Sequence, residues 1–296
     1  MKKTILISAL CAVFTAAVFA SDFDGAVSKA RNLMNEDKHA EAAKILVRAE
    51  GIAPKNRLMS LYVDLGICFR KTGQNDRAIE YYKKAAEISP GMADIYYNIG
   101  LAYYYKRDYS RAIENYSKAI KLSPSYTEAY GAQAMAYRDR GMTDTAMKVI
   151  KEALQRDPKY AGGYNIMGNC FSDKKNYGSA IEMYKNAISL RPDYVSAFNN
   201  LGAVYCETGD YPRAIDAYRQ ALAIERNDPD LYNSLGYTYM RAGDCYKAID
   251  MFKAAIRKDA DKKEAYDDLV HCLKKSGMSR EAERWRKIRE SRFGRK

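Results

Sequence analysis

The sequence predicts an all-α protein, a solenoid of stacked antiparallel helix pairs, and three observations support this class. Alanine recurs with a step of 34 residues and no slippage, at Ala78, Ala112, Ala146, Ala180, Ala214, Ala248 and Ala282. Within each step, apolar residues follow the periodicity of two amphipathic helices. Prolines at Pro90, Pro124, Pro158 and Pro192 end the second helix of a step. Such a period indicates one supersecondary unit repeated along the chain.

The first predicted element is a secretory signal peptide over residues 1–20. Lys2 and Lys3 precede the apolar run Thr4–Phe19, and small residues close the run at Ala20. This order of a basic start, an apolar run and a small-residue end is typical of a cleavable signal. The alternative is an uncleaved anchor, since the run is near the shortest that spans a bilayer. Cleavage would place the mature chain in the periplasm or outside the cell.

The remaining elements are repeat units. An atypical first unit covers residues 23–56, with Ala26 and Lys29 where an aromatic residue and a leucine are expected. Six complete units follow at 59–92, 93–126, 127–160, 161–194, 195–228 and 229–262. The last unit, 263–296, ends in a basic helix. Repeat arrays need polar end units, so both terminal units are expected to be solvent-facing caps.

The six complete units carry the same columns of residues, and the last unit keeps part of them. An aromatic residue opens the first helix at Tyr62, Tyr96, Tyr130, Tyr164, Phe198, Tyr232 and Tyr266, and an apolar, a small and a second aromatic residue follow on one helical stripe. The small residue is most often glycine, which costs about 0.8–1 kcal/mol relative to alanine inside a helix. Its recurrence therefore predicts close helix contact. Other glycines between the two helices fit the positive φ that ends a helix.

These columns closely resemble the tetratricopeptide repeat family. The matching spacing of aromatic, Leu-Gly, Tyr, Ala, Tyr, Ala and Pro is clearest in YNIMGNCFSDKKNYGSAIEMYKNAISLRP, from Tyr164 to Pro192. The resemblance covers almost all of the mature chain. It implies a right-handed superhelix whose concave groove, lined by the first helices, binds partner peptides. The basic side chains of the family's chaperone-tail clamp are missing beside Asn169 and Asn200, so that ligand is not expected.

Composition and motifs exclude several function classes. The formal charge of +12 is concentrated in Lys274–Lys296, which carries ten basic and three acidic residues. The body of the chain is nearly neutral, and no nucleic-acid partner is expected. No nucleophile motif, phosphate-binding loop or metal-ligand spacing occurs, so the sequence predicts a protein that is not an enzyme and holds neither cofactor nor metal. The cysteines of the repeats are expected to be buried packing residues.

Two groups of residues on the first helices are candidates for peptide binding. The first is polar and contains Asn165, Asn169, Asn199, Asn200 and Asn233. Asparagine amides both donate to and accept from a peptide backbone, whereas the alternative is an ordinary solvated surface. The second is apolar and contains Tyr97, Leu101 and Tyr104, for which the alternative is packing between neighbouring units.

The basic tail is a further candidate. Its cations Arg284, Arg286, Lys287, Arg289 and Arg292 could contact an anionic membrane surface, or the segment could simply be a capping helix. The sequence therefore predicts a scaffold of the bacterial cell envelope that binds an extended peptide or a partner protein. The alternative is a ligand-handling protein that holds an apolar small molecule or lipid and docks on an envelope transport complex.

Overall fold

The computed structural model describes residues 22–294, and within that range it contains helices and no strands. The signal peptide predicted over residues 1–20 lies outside the described residues. The chain divides into two compact units, Met1–Val149 and Ile150–Lys296. No helix among the residues described has the length and apolar character needed to cross a bilayer.

The helices follow the predicted order of two per repeat. The N-terminal unit holds α1 (22–35), α2 (His39–Glu50), a 3₁₀ turn (Lys55–Arg57), α3 (Leu58–Lys71), α4 (Asn75–Ile88), α5 (Ala93–Tyr105), α6 (Tyr109–Leu122) and α7 (Thr127–Asp139). Helix α8 (Thr143–Arg156) contributes residues to both units. The C-terminal unit continues with α9 (Ala161–Asp173), α10 (Tyr177–Leu190), α11 (Val195–Glu207), α12 (Tyr211–Ile224), α13 (Pro229–Arg241), α14 (Cys245–Lys258), α15 (Lys263–Lys275) and α16 (Ser279–Phe293).

The alanine column marks the tightest part of the core. The first six of its members are fully buried and Ala282 is 1% exposed. Glycines of the first helix face the aromatic ring of the second helix: a Cβ added at Gly168 would lie 2.6 Å from Cε1 of Tyr184. The same contact recurs in other repeats, as between Gly66 and Tyr82. The predicted close approach of the two helices is confirmed.

The turns between paired helices also follow the prediction, with an exception. Glycines there, such as Gly209 with φ of 81°, adopt the left-handed conformation that favours this residue. Arg107 and Lys175 hold the corresponding place with φ of 60° and 58°. The turn geometry is therefore set by the packing of the helix pair, even where the local sequence disfavours it.

Burial differs from the sequence expectation at the first helix and along the aromatic column. In α1 the buried residues are Phe23 and Ala30, so an aromatic residue three positions before Ala26 fills the core. In the aromatic column Tyr164 and Tyr232 are only half-buried. The Tyr232 hydroxyl donates to the Arg226 carbonyl oxygen at 3.3 Å, because tyrosine buries its ring while keeping its polar end near the surface.

The cysteines behave as packing residues. Cys68, Cys170, Cys206, Cys245 and Cys272 are buried, and none of them forms a disulfide within the described residues. Burial raises the pKa of the Cys68 thiol to about 12, so this group stays protonated and unreactive at neutral pH.

Candidate functional site

The first helices of consecutive repeats contact one another within each unit. Helix α5 touches both α3 and α7 in the N-terminal unit, and α9, α11, α13 and α15 touch in sequence in the C-terminal unit. Side chains from repeats far apart in sequence are therefore brought together on one face of each unit. We call this face the first-helix surface. It carries both groups of predicted peptide-binding residues.

Three of the predicted asparagines form one hydrogen-bonded group in the C-terminal unit, which we call the asparagine network. The Asn200 amide nitrogen donates to Asn165 Oδ1 and to Asn169 Oδ1, both at 3.0 Å. Tyr184 on the second helix also donates its hydroxyl to Asn169 Oδ1, at 2.8 Å. The network joins α9 to α11, and Asn165 is only 7% exposed. These amides therefore have a structural role between repeats.

The asparagine network still presents polar groups to a partner. Within residues 22–294, the amide nitrogens of Asn165 and Asn169 donate no hydrogen bond, and Asn169 is half-buried. An amide nitrogen fixed in this way can donate to the carbonyl oxygens of an extended peptide. The internal bonds fix the orientation of these donors in advance, which lowers the entropy lost on binding.

The other two predicted asparagines lie outside the network. Asn199 is half-buried and makes no hydrogen bond among the residues described. The Oδ1 atom of Asn233 is buried and has no partner there. Both therefore retain hydrogen-bonding capacity that the fold does not use.

The second group forms a cluster of aromatic rings in the N-terminal unit. Tyr97 lies between Tyr116 and Tyr126, with ring centroids 5.9 Å and 5.1 Å apart. Tyr104 contacts the ring of Tyr105 at 6.0 Å. With Leu101 these residues form what we call the tyrosine cluster. Tyr97, Leu101 and Tyr104 are half-buried. Each side chain therefore packs between repeats and is also partly exposed on the first-helix surface.

Two hydroxyls of the tyrosine cluster lie beside carboxylates. Tyr104 donates to Asp139, and burial together with this carboxylate raises the pKa of Tyr104. Burial and the neighbouring Asp94 carboxylate raise the pKa of Tyr126 in the same way. The hydroxyls of Tyr104 and Tyr126 are therefore neutral at physiological pH. The surface is therefore aromatic with polar edges and is not purely apolar.

Arg70 was not among the residues predicted from the sequence to bind a peptide. This residue lies in the column of Tyr104, one repeat earlier, so the 34-residue period itself could have indicated it. Its guanidinium lies 5.9 Å from the centroid of the Tyr105 ring. It therefore borders the tyrosine cluster on the first-helix surface.

The structure assigns part of the basic tail to internal contacts. Arg289 is 5% exposed and binds the Asp267 carboxylate through Nε at 2.9 Å, which corrects the expectation that it is a surface cation. Arg286 pairs with Glu283 and Glu290, and Arg292 with Asp261. Arg284 and Lys287 remain exposed. The helix caps the array by satisfying charges at its end.

The described residues contain no group of three or more His, Cys, Asp or Glu side chains that could hold a metal ion. The first-helix surface offers hydrogen-bond donors, aromatic rings and guanidinium groups. These are the groups with which proteins bind peptides and other proteins.

Family models of the tetratricopeptide repeat match the chain over residues 93–126, 127–160 and 229–262. A further model, described as TPR repeat, matches residues 68–106, 168–209 and 202–243. No curated protein matches the chain.

Solved structures show similar folds. A tetratricopeptide repeat protein from Parabacteroides merdae ATCC 43184 is 18% identical, and the match covers 86% of this chain and 99% of that one, with a TM-score of 0.67. Pseudomonas aeruginosa pilF is 19% identical over 68% of this chain and 91% of its own, with a TM-score of 0.59. A MamA protein is 30% identical over 58% of this chain and 94% of its own, with a TM-score of 0.47. The first two likenesses support the fold of stacked helix pairs.

Proposed function

Because this chain belongs to the tetratricopeptide repeat family, we propose that it is a non-enzymatic scaffold of the bacterial cell envelope that binds an extended peptide or a partner protein on its first helices. Proteins of this family are typically protein-interaction scaffolds. A repeat array presents an extended surface and has no single cleft around a catalytic centre, which favours binding over catalysis. The signal-like sequence at residues 1–20 supports export to the periplasm or beyond the cell.

The observation that carries the peptide proposal is the set of donors held in the asparagine network. Asn165 and Asn169 accept hydrogen bonds on their oxygens, so the orientation of both amide groups is fixed before any ligand arrives. Backbone carbonyl oxygens of an extended chain match such donors without requiring a particular sequence. Asn199 and Asn233 extend the polar surface along α11 and α13.

The competing proposal is that the tyrosine cluster holds a lipid or another apolar small molecule. The carboxylates of Asp139 and Asp94 beside Tyr104 and Tyr126 do not favour this, since an acyl chain would desolvate them without compensation. An anionic-membrane role for the tail is likewise weakened, because Arg286, Arg289 and Arg292 already pair with carboxylates. Protein partners remain the best-supported ligands.

The test replaces asparagines that make no internal hydrogen bond, so that the fold is left intact. The Asn199→Ala, Asn233→Ala double variant should lose in-cell crosslinked partners relative to the wild type, about tenfold if each side chain contributes one hydrogen bond. The matched control is Asn186→Ala, on the second helix α10. Tagged protein is captured after crosslinking, and the partners are counted by mass spectrometry.

The same preparations test the other parts of the proposal. Intact mass spectrometry should give a chain that begins at Ser21 if the signal is cleaved. Native mass spectrometry should show no stoichiometric lipid. A wild-type protein that captures nothing contradicts the scaffold function, whereas a double variant that retains every partner contradicts only the role of these asparagines.

A further inference from the structure

A groove on the second helices of the N-terminal unit has an apolar floor and a basic rim, and we call it the basic groove. It lies between α2 and α4, over α3, and its volume is about 360 Å³. Its apolar lining consists of Ala40, Ala43, Val47 and Phe69. Phe69 is buried below the others, whereas Val47 is 38% exposed. Binding sites of proteins are typically lined in this way, by apolar side chains with a few polar groups around them.

The charged residues that line the basic groove are all cations. Lys44 and Arg48 come from α2, and Arg77 comes from α4 on the opposite wall. The carboxylate of Glu41 on α2 does not line the groove. Lys44 and Arg48 are exposed, and neither forms an ion pair within residues 22–294. They are four residues apart on one helix, where like charges repel each other, so an anion bound beside them would relieve this repulsion.

The guanidinium of Arg77 is held in a fixed orientation at the rim. Its Cζ atom lies 3.8 Å from the centroid of the Phe69 ring, and its Nη1 atom donates to Oε1 of Gln74 at 2.9 Å. These contacts occupy one face of the guanidinium and one of its nitrogens. The remaining N–H groups are exposed and can donate to a carboxylate, which a guanidinium binds through two parallel hydrogen bonds.

The equivalent groove one repeat later differs in its charge. It lies between α4 and α6, has a volume of about 460 Å³, and has Arg111 at 5.1 Å from the centroid of the Tyr103 ring. Glu87 and Glu114 line it beside its cations, so its charge is mixed. Arg111 also pairs with a carboxylate of the chain. The purely positive charge of the basic groove is therefore particular to this repeat and does not follow from the 34-residue period.

We propose that the basic groove binds an acidic segment of a second partner protein, with an apolar side chain on the floor and carboxylates paired with Lys44, Arg48 and Arg77. The cations come from both walls, so a matching ligand carries negative charge on both sides of its apolar part. A polypeptide provides this pattern, whereas a lipid carries its charge at one end of the acyl chains. The walls are second helices, so this site is separate from the first-helix surface. It goes beyond the function proposed above, because a scaffold with two binding surfaces can hold two partners at once.

The test uses a library of random peptides displayed on phage and selected on the full mature protein. The library is first depleted on the triple variant Lys44→Gln, Arg48→Gln, Arg77→Gln, so that the peptides retained by the wild type are those that need these cations. The retained pool should be enriched in peptides with Asp or Glu on both sides of a large apolar residue. One such peptide is synthesised unchanged and with its carboxylates converted to amides. Fluorescence anisotropy should show that the amide form binds about tenfold more weakly, and that added salt weakens mainly the unchanged form.

Variants of the protein assign the charged and the apolar parts of the site. The triple variant should weaken binding of the unchanged peptide about tenfold or more. Val47→Gln removes an apolar contact and should weaken it about threefold, without lowering the midpoint of urea unfolding, because Val47 is exposed in the free protein. The matched control is Arg111→Gln, which removes the equivalent cation one repeat later and should leave the affinity unchanged.

The outcomes separate this site from the first-helix surface. The Asn199→Ala, Asn233→Ala double variant should bind the acidic peptide as tightly as the wild type does. A depleted library that yields no peptide, or a retained pool without acidic residues, overturns the acidic-partner site and leaves the function proposed for the first helices intact. Sedimentation with vesicles of phosphatidylcholine and phosphatidylglycerol in equal amounts tests the lipid alternative. Vesicle binding that is lost in the triple variant would also overturn the proposal, because the groove would then bind a lipid surface.

Discussion

At the scale of single residues, glycines on the first helices set how closely each helix pair packs. Gly66, Gly100, Gly168 and Gly202 each face the ring of a tyrosine on the second helix of the same repeat. The space that a Cβ would need is already filled by that ring. Because Tyr184 also donates to Asn169, this contact positions the asparagine network as well as the core.

Gly168→Ala should therefore destabilise the protein by about 1–3 kcal/mol, since the new methyl group lies 2.6 Å from the Tyr184 ring. Urea unfolding followed by circular dichroism measures the change. Gly178→Ala is the control, because nothing lies within 4 Å of a Cβ there. It should be neutral or stabilising by up to about 1 kcal/mol, as expected for alanine in a helix. Equal effects at both sites would show that the close approach is not required.

At the scale of elements, α16 closes the array through polar contacts as well as apolar ones. Arg289 lies seven residues after Ala282, at the position where the preceding repeat has Ala255, and it bonds to Asp267 on α15. Asp267 in turn occupies the column of Asn165, Asn199 and Asn233. At this position of the first helix, the last repeat therefore has a carboxylate in an ion pair, whereas the three preceding repeats have an asparagine amide.

Arg289→Ala should lower stability by about 1–3 kcal/mol, because it removes the hydrogen bonds between the Arg289 guanidinium and the Asp267 carboxylate. Asp267 is partly exposed, which keeps the loss below that of a fully buried ion pair. Hydrogen exchange should show faster opening of α16 than of α9. Arg284→Ala removes an exposed cation of the same helix and should change stability by less than about 0.5 kcal/mol. If both variants behave alike, the ion pair does not hold the cap.

At the scale of the whole molecule, buried tyrosines make the fold sensitive to alkali. Burial raises the pKa of Tyr82 to about 12 from an ordinary value of 10.0. It also raises the pKa of Tyr116 and of Tyr218. The unfolded chain ionises these groups first, so the stability they contribute is fully present below about pH 10 and is lost as pH rises towards the folded pKa.

Urea unfolding between pH 9 and pH 12 should show stability falling on the order of 1 kcal/mol per pH unit for each fully buried tyrosine above about pH 10. Tyrosinate absorbance should rise together with the loss of helical circular dichroism. Tyr82→Phe should shift this alkaline transition upward by removing one of the ionising groups. Titration of all tyrosines before unfolding would contradict the explanation, since it would mean that the hydroxyls are accessible in the folded protein.

The repeat period alone determined most of the fold. It located the helix pairs, the buried alanine column and the glycine contacts, since each depends on local periodicity. Phe23 was not predicted to be a core residue, because it lies outside the aromatic column and is nevertheless buried. The positive φ of Lys175 was also missed, because the helix packing imposes a conformation that the local sequence does not favour.

The site divides in a similar way. The residue columns predicted which side chains are candidates for binding. They did not predict which of these side chains are buried or hydrogen-bonded. The asparagine network joins Asn165 to Asn200 on a different helix. Arg70 has no ion pair among the described residues because Asp64 and Asp139 bind other groups. Arg289 is buried because it binds Asp267. The sequence by itself determined which helix face each residue occupies, because that depends on spacing along one helix. Only the tertiary structure decided which polar groups are paired, because pairing depends on distances between side chains of different helices.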